Sequence, residues 1–389
     1  MKTHSQSVCR SLLTKSTAAL LRVGSGFGRL QALSFVMLFV GPLAMPLPGQ
    51  YVYVVNSNVS NSGGTTEGSM SGYSIGPGGA LTAIPHIPGG GILVNSVTVD
   101  RTSHFVYLST DPDNFIAGWS IGAGGSLTSV AFYSSDTFAP TWITASPTRD
   151  VVYATSGNGL WTFSIGSDGQ LTPLGSPKFS GALTTCVAVA PKGYFAYVTN
   201  QGGNTVSGYK IRRNGTPIEL PGSPFSIEAG SPVSVAVSSR FVFVVSGAYW
   251  LNDPGDAKGA VSVYLRGSDG ALTAATGSPY PLPSEGFALA LDPKKQFIYV
   301  TSAGYIFGFR IHSDGTLTAV PGSPLPAAQS SYGIAVDPSG SFVYTTNFSA
   351  NNVSGYTISN DGSLTTMPNS PFAAGPQPVG IAITNSISE

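Results

Sequence analysis

Few side chains in this sequence can do acid-base or metal chemistry, and they are scattered. The four histidines are His4, His86, His104 and His312. Their contexts differ: His86 sits in "IPHIPGGG", His104 follows "VDRTS" and His312 stands beside a turn in "RIHSDG". No shared metal site is expected from such positions, and no cofactor is implied. His86, in a loop leading toward the mouth of the channel that the repeats described below would enclose, is a candidate ligand-binding side chain, while His104 and His312 read as exposed loop residues. Glu285, in "PSEGFALALDP", is a candidate general base for activating water, with a solvated loop carboxylate as the alternative. Asp111 and Asp113 in "TDPDN", and Asp253 and Asp256 in "NDPGD", offer the oxygen ligands that Ca²⁺ takes. Neither group matches an EF-hand loop, and turn formation suffices to explain them. Tyr249 and Trp250, in "SGAYWLNDPGDAKGA", are placed either to stack on a sugar or peptide or to cover their own sheet. No G-x-S-x-G elbow and no phosphate-binding loop occurs, so serine-hydrolase and nucleotide chemistry are not indicated.

The elements that must position these residues are announced by composition. Only 9% of the 389 residues are charged, 42% are hydrophobic, and there are 49 glycines and 29 prolines. Many short strands joined by tight turns fit such a chain. The formal net charge of zero hides an asymmetry, because residues 1–50 hold five basic and no acidic residues, leaving 13 basic against 18 acidic residues in the remainder. A mildly acidic body without a basic stripe excludes nucleic acid as a partner. Of the two cysteines, Cys9 lies in the basic leader and Cys186 in the apolar run "CVAVAP", so no disulfide is expected and Cys186 reads as a small buried hydrophobe.

Residues 1–49 read as an export signal or amino-terminal anchor. Leu30 to Met45 is a run of 16 uncharged, mostly apolar residues preceded by basic ones, which is shorter than a spanning helix requires. The body, residues 50–389, is therefore expected outside the cytoplasm, periplasmic or secreted, meeting a membrane only through the leader.

That body repeats one unit seven times. The unit opens at "YVYVVN" (Tyr51), "FVYLST" (Phe105), "VVYATS" (Val151), "FAYVTN" (Phe195), "FVFVVS" (Phe241), "FIYVTS" (Phe297) and "FVYTTN" (Phe342), at spacings of 44 to 56 residues. Each continues with a second strand such as "VSGYKI", a turn such as "SDG" or "AGG", a short strand at "SLT" or "TLT", and in most units a "GSP" loop. Asp-Gly and Gly-Gly supply the positive φ angles that tight hairpins need. A small apolar strand closes each unit, as in "VAVAP" and "IAVDP". A period of this length with four strands per unit predicts an all-β, seven-bladed β-propeller of four antiparallel strands per blade, with a linear β-solenoid as the competing architecture. The chain enters on an aromatic strand and ends on a small apolar one, "VGIAIT". The carboxy-terminal strand is thus expected to join blade 1 and close the ring, leaving no exposed edge. Units 1 and 5 carry insertions at the same point of the repeat, which marks one face of the ring for contacts.

The runs "FAYVTNQGGNTVSGYKI", "FVYTTNFSANNVSGYTI" and "IAVDPSGSFVY" resemble the YVTN-type repeat and the seven-bladed lactonase family, which includes 6-phosphogluconolactonases and muconate-lactonising enzymes. The resemblance spans all seven units and implies a site where the loop before an innermost strand opens onto the channel, with a histidine in a "His-Ser-Val" motif before an "Asp-Pro". The matching positions here are Asn95, Thr141, Thr185, Val233, Phe287, Tyr332 and Val379. None is histidine, and the family's arginine and glutamate partners have no evident counterparts. The reading drawn from this departure is a monomeric binding or scaffold module for an extracytoplasmic protein or glycan, with Tyr249 and Trp250 on its contact face. The alternative is a hydrolase of a sugar or related lactone, with Glu285, two residues before one matching position, as base and Asn95 and Tyr332 binding the substrate.

Overall fold

The computed structural model describes residues 49–57, 68–89, 94–110, 114–134, 139–157, 159–247, 259–328 and 330–386. These form seven antiparallel sheets. The innermost strands are Val94–Val99 in blade 2, Pro140–Ala145 in blade 3, Thr184–Val189 in blade 4, Pro232–Val237 in blade 5, Gly286–Leu291 in blade 6 and Ser331–Val336 in blade 7. Blade 1 takes its innermost strand, Pro378–Ile383, from the end of the chain and pairs it with Tyr51–Asn56. Thr384 secures the junction, since its Oγ1 accepts the Tyr51 N–H at 2.8 Å and its own N–H donates to the Tyr51 carbonyl at 2.9 Å. The expected propeller and its closure are therefore present.

The outer edge differs from the simple four-strand unit in one respect. In blades 3 to 7 a two-residue strand, such as Phe225–Ser226 in blade 4, pairs with the third strand beyond the end of the fourth. The third strand is seven residues long and the fourth only three in these blades. The unpaired half of the third strand thus recruits residues just after the proline of the loop, which keeps its N–H groups bonded.

Burial explains the aromatic signature of the repeat. The third residue of each second strand is Tyr53, Tyr107, Tyr153, Tyr197, Phe243, Tyr299 or Tyr344, all fully buried. Each tyrosine donates its hydroxyl to a turn glycine of the following blade: Tyr53 to Gly125, Tyr107 to Gly169, Tyr153 to Gly215, Tyr197 to Gly270, Tyr299 to Gly362 and Tyr344 to Gly79, at 2.6–2.8 Å. The last of these ties blade 7 to blade 1. Apolar clusters fill the spaces between blades, as where Val261 and Val263 of blade 5 meet Ile298, Val300 and Phe307 of blade 6. The ring is thus held by burial between blades and by tyrosine-to-glycine staples across each interface except that after Phe243, where the Tyr280 hydroxyl of blade 5 instead accepts the Leu317 N–H of blade 6 at 2.9 Å.

Candidate functional site

The inner strands all break register near their starts. The shifts fall between Val94 and Ser96, Pro140 and Trp142, Thr184 and Val187, Pro232 and Ser234, Gly286 and Ala288, and Ser331 and Ile334, and at Val379 of the closing strand. The seven positions matched to the family histidine thus lie in seven β-bulges, where an extra residue leaves the ladder and its side chain is re-aimed. Hydroxyls on the second strand satisfy freed N–H groups: Thr199 accepts from Cys186 at 3.0 Å, Thr301 from Ala288 at 3.1 Å and Thr346 from Gly333 at 2.8 Å. Thr301 also donates to the Tyr332 carbonyl of the next blade at 3.0 Å. One threonine therefore fixes the bulges of two neighbouring blades.

A channel cavity of about 950 Å³ runs along these strands, and Asn95, Val233, Phe287, Tyr332 and Val379 line it. Thr141 and Thr185 instead bond across to the carbonyls of Thr184 and Pro232 in the following blades. The mouth at the bulge end has two unlike walls. On the blade 6–7 side Phe287 lies 4.8 Å from Tyr332 and Tyr332 lies 5.3 Å from Phe348, between ring centroids. Next to them round the ring stand Gln377 and Ser57 of blade 1 and Asn95 of blade 2. Asn95 is 9% exposed, and among the described residues neither its Oδ1 nor its Nδ2 has a hydrogen-bond partner; the Ser57 Oγ lacks one there too. Buried amides without partners are uncommon because they give up hydration for nothing in return. Aromatic faces flanked by an open amide and hydroxyl are the lining that suits a small oxygenated ring.

Glu285 does not line the channel. It stands half-buried on the loop just before Phe287, where its carbonyl accepts the Ser302 hydroxyl at 2.7 Å. Its charge nevertheless reaches Tyr332, whose phenol is pushed up to about 12, first by burial and then by the Glu285 carboxylate. A neutral hydroxyl thus lines the mouth within the field of a carboxylate on a loop of the preceding blade. Cys186 lines the channel, but burial pushes its thiol up to about 12, so it remains protonated and acts as the expected small hydrophobe.

His86 is exposed in a turn just after the outermost strand of blade 1, Leu81–Ile84, and is not among the channel-lining residues. His104 is exposed and His312 half-buried, each bonded to a nearby threonine hydroxyl at 2.9 Å. Tyr249, Trp250, the four calcium-candidate aspartates and the leader lie outside the described residues. Among those described, no group of His, Cys, Asp or Glu could hold a metal ion and no helix is long and apolar enough to cross a membrane. Ser57, Trp142, Phe348, Gln377 and Lys295 also line the channel and were missed as candidates. Trp142 directly follows a bulge position and was detectable from the repeat alignment, whereas the others come from different points of the unit.

The family model described as "Lactonase, 7-bladed beta-propeller" matches residues 109–222 and 255–379. No curated protein matches the chain. Among solved structures, the Pseudomonas aeruginosa periplasmic gluconolactonase superposes with a TM-score of 0.70 at 15% identity, covering 87% of this chain and 99% of that one. A provisionally assigned 6-phosphogluconolactonase of Bacteroides fragilis gives 0.70 at 15% identity over 87% and 98% of the two chains. A Lactobacillus plantarum protein gives 0.71 at 16% identity over 86% and 99%. At such identities these likenesses establish the fold alone.

Proposed function

Because the chain belongs to the seven-bladed β-propeller lactonase family, we propose that it hydrolyses a lactone at the bulge end of its channel. The binding or scaffold role expected from the histidine-free positions finds no support in the comparisons, which favour the alternative. The observation that carries this reading is a channel mouth lined by Tyr332 and by an Asn95 amide unpartnered among the described residues, with the charge of Glu285 acting on the Tyr332 phenol.

In this mechanism the substrate ring packs against Phe287, Tyr332 and Phe348, and its hydroxyl or ring oxygens meet Asn95 and Ser57. Tyr332 donates its hydrogen bond to the lactone carbonyl, stabilising the oxyanion that develops when water adds. Glu285 takes the proton from the attacking water. Collapse of the tetrahedral intermediate breaks the bond between the carbonyl carbon and the ring oxygen, and the proton held by Glu285 passes to that oxygen. The product is an open-chain hydroxy acid. No cationic side chain stands at this mouth among the described residues, which favours an uncharged sugar or aliphatic lactone over a phosphorylated one.

Acid release followed by pH-stat over a panel of five- and six-membered lactones tests the reading. Hydrolysis above the uncatalysed rate, lowered at least about 100-fold in Glu285→Gln with the fold intact by circular dichroism, is the expected result. Absence of acid release from every lactone would overturn it. An extracytoplasmic location is part of the same proposal, supported by the basic-then-apolar leader, and fractionation of cells expressing the full chain tests it.

A further inference from the structure

One charged side chain lines the channel among the described residues, and it is at the end opposite the mouth: Lys295. It lies on the hairpin that joins the innermost strand of blade 6 to its second strand, Phe297–Ser302. From Phe287 at the mouth to Leu291 at the strand end is about 13 Å at the usual strand rise, and Lys295 follows beyond. A ligand group at Lys295 therefore lies well away from the aromatic rim.

Lys295 occupies this position against the preference of its backbone. Its φ is 57°, in the left-handed region, and the corresponding residues of blades 4 and 7 are glycines, Gly193 at 67° and Gly340 at 73°. Glycine adopts that conformation without a Cβ penalty and lysine does not. Blade 2 holds the same conformation with Ser103 at 59°, and in blade 6 the strained residue is one whose side chain reaches the channel, which points to a use for it there. That use is not an internal ion pair. The nearby Asp292 carboxylate is occupied by the backbone N–H groups of Lys294, Gln296 and Phe297 at 2.9, 2.6 and 2.6 Å. Among the described residues the Lys295 ammonium has neither a hydrogen bond nor a salt bridge, the one salt bridge being that of Arg101 with Asp150. Pro147, Val189, Pro191 and Leu291 also belong to the lining. Burial in such surroundings lowers the lysine pKa, opposed by the charge of Asp292, so an arriving anion would restore interactions that desolvation removed.

We propose that Lys295 forms an anion subsite at the hairpin end of the channel and takes the carboxylate of a small hydroxy acid. Thr144, near the hairpin end of the innermost strand of blade 3, lines the channel and supplies a hydroxyl partner for the rest of such a molecule. The subsite is an equilibrium binding site and does not depend on the hydrolytic reading. A propeller without lactonase activity would display it equally.

Calorimetric titration of the purified full chain with D-gluconate and with D-glucitol tests the proposal, since the two differ in carboxylate against alcohol on the same six-carbon chain. Gluconate should bind about tenfold or more tightly, as expected for a charge-assisted hydrogen bond. The preference should persist in Lys295→Arg and vanish in Lys295→Gly. Lys295→Gly is expected to fold at least as well as the native chain because Gly193 and Gly340 hold the same backbone conformation. Should it not fold, Lys295→Asn replaces it, since Asn204 and Asn351 adopt φ of 50° and 55° here. Equal binding of the two compounds, no gluconate binding, or a preference that survives loss of the lysine in a folded variant would each overturn the proposal.

Discussion

Tyr332→Phe deletes one oxygen atom from the channel mouth and leaves the ring in place. The phenol is pushed up to about 12 by burial and by the charge of Glu285, so it keeps its proton, and its capacity to donate, throughout the neutral and mildly alkaline range. If that hydrogen bond is made to the oxyanion, removing it should cost about 100- to 1,000-fold in kcat, or roughly 3–4 kcal/mol of transition-state stabilisation. KM should change little, because the contacts of the Tyr332 ring with Phe287 and Phe348 at 4.8 and 5.3 Å need no hydroxyl. Stability should also change little: among the described residues the Tyr332 backbone carbonyl is bonded to Thr301, but its hydroxyl has no protein partner to strand. Initial rates of acid release over a range of lactone concentrations, together with a thermal melt, separate these effects. A folded Tyr332→Phe variant with kcat within about threefold of the native value would refute the assignment. A rise in KM alone would mean that the hydroxyl only binds substrate.

Asn95→Leu should raise the melting temperature of the free protein, since replacing a buried amide without partners by an apolar group of similar size recovers roughly 1–3 kcal/mol, while weakening substrate binding; a lower melting temperature would show that the amide is satisfied in solution. Phe243→Tyr should supply the missing staple between blades 5 and 6 through the carbonyl of Gly315 and stabilise the ring by about 1 kcal/mol, whereas Tyr344→Phe should weaken the blade 7 to blade 1 junction by a similar or larger amount; denaturant unfolding of the pair checks both signs. The six staple tyrosines are held above the ordinary tyrosine range, foremost by burial. Their contribution is therefore complete below the unfolded pKa near 10 and is lost above it, at about 1.4 kcal/mol per pH unit for each. Together they should unfold the protein steeply within about two units above pH 10, with phenolate absorbance and loss of the sheet signal rising together. Gradual phenolate formation near pH 10 in an intact sheet would contradict this.

What the sequence by itself determined is what repeats locally. The aromatic strand, the Asp-Gly or Gly-Gly turn and the small closing strand recur at nearly constant spacing, and side-chain alternation and turn chemistry act over a few residues, so seven blades could be counted directly. Ring closure followed from the order of strand types at the two ends. Even the seven bulges were marked, because aligning the repeats brings Asn95, Thr141, Thr185, Val233, Phe287, Tyr332 and Val379 to one position. What only the tertiary structure decided are relations between blades. Glu285 and Tyr332 belong to neighbouring repeats, Ser57 and Asn95 to blades 1 and 2, and the tyrosine staples link residues at least 62 positions apart. His86, expected near the channel, lies exposed after an outermost strand because its loop turns there with φ at 58°. Nothing in the sequence sets Lys295 apart from other loop lysines; its left-handed backbone and channel position belong to the folded ring. Repeat periodicity specifies each blade, but the charge, the unpartnered amide and the hydroxyl that make a site acquire their neighbours only when seven blades converge on one axis.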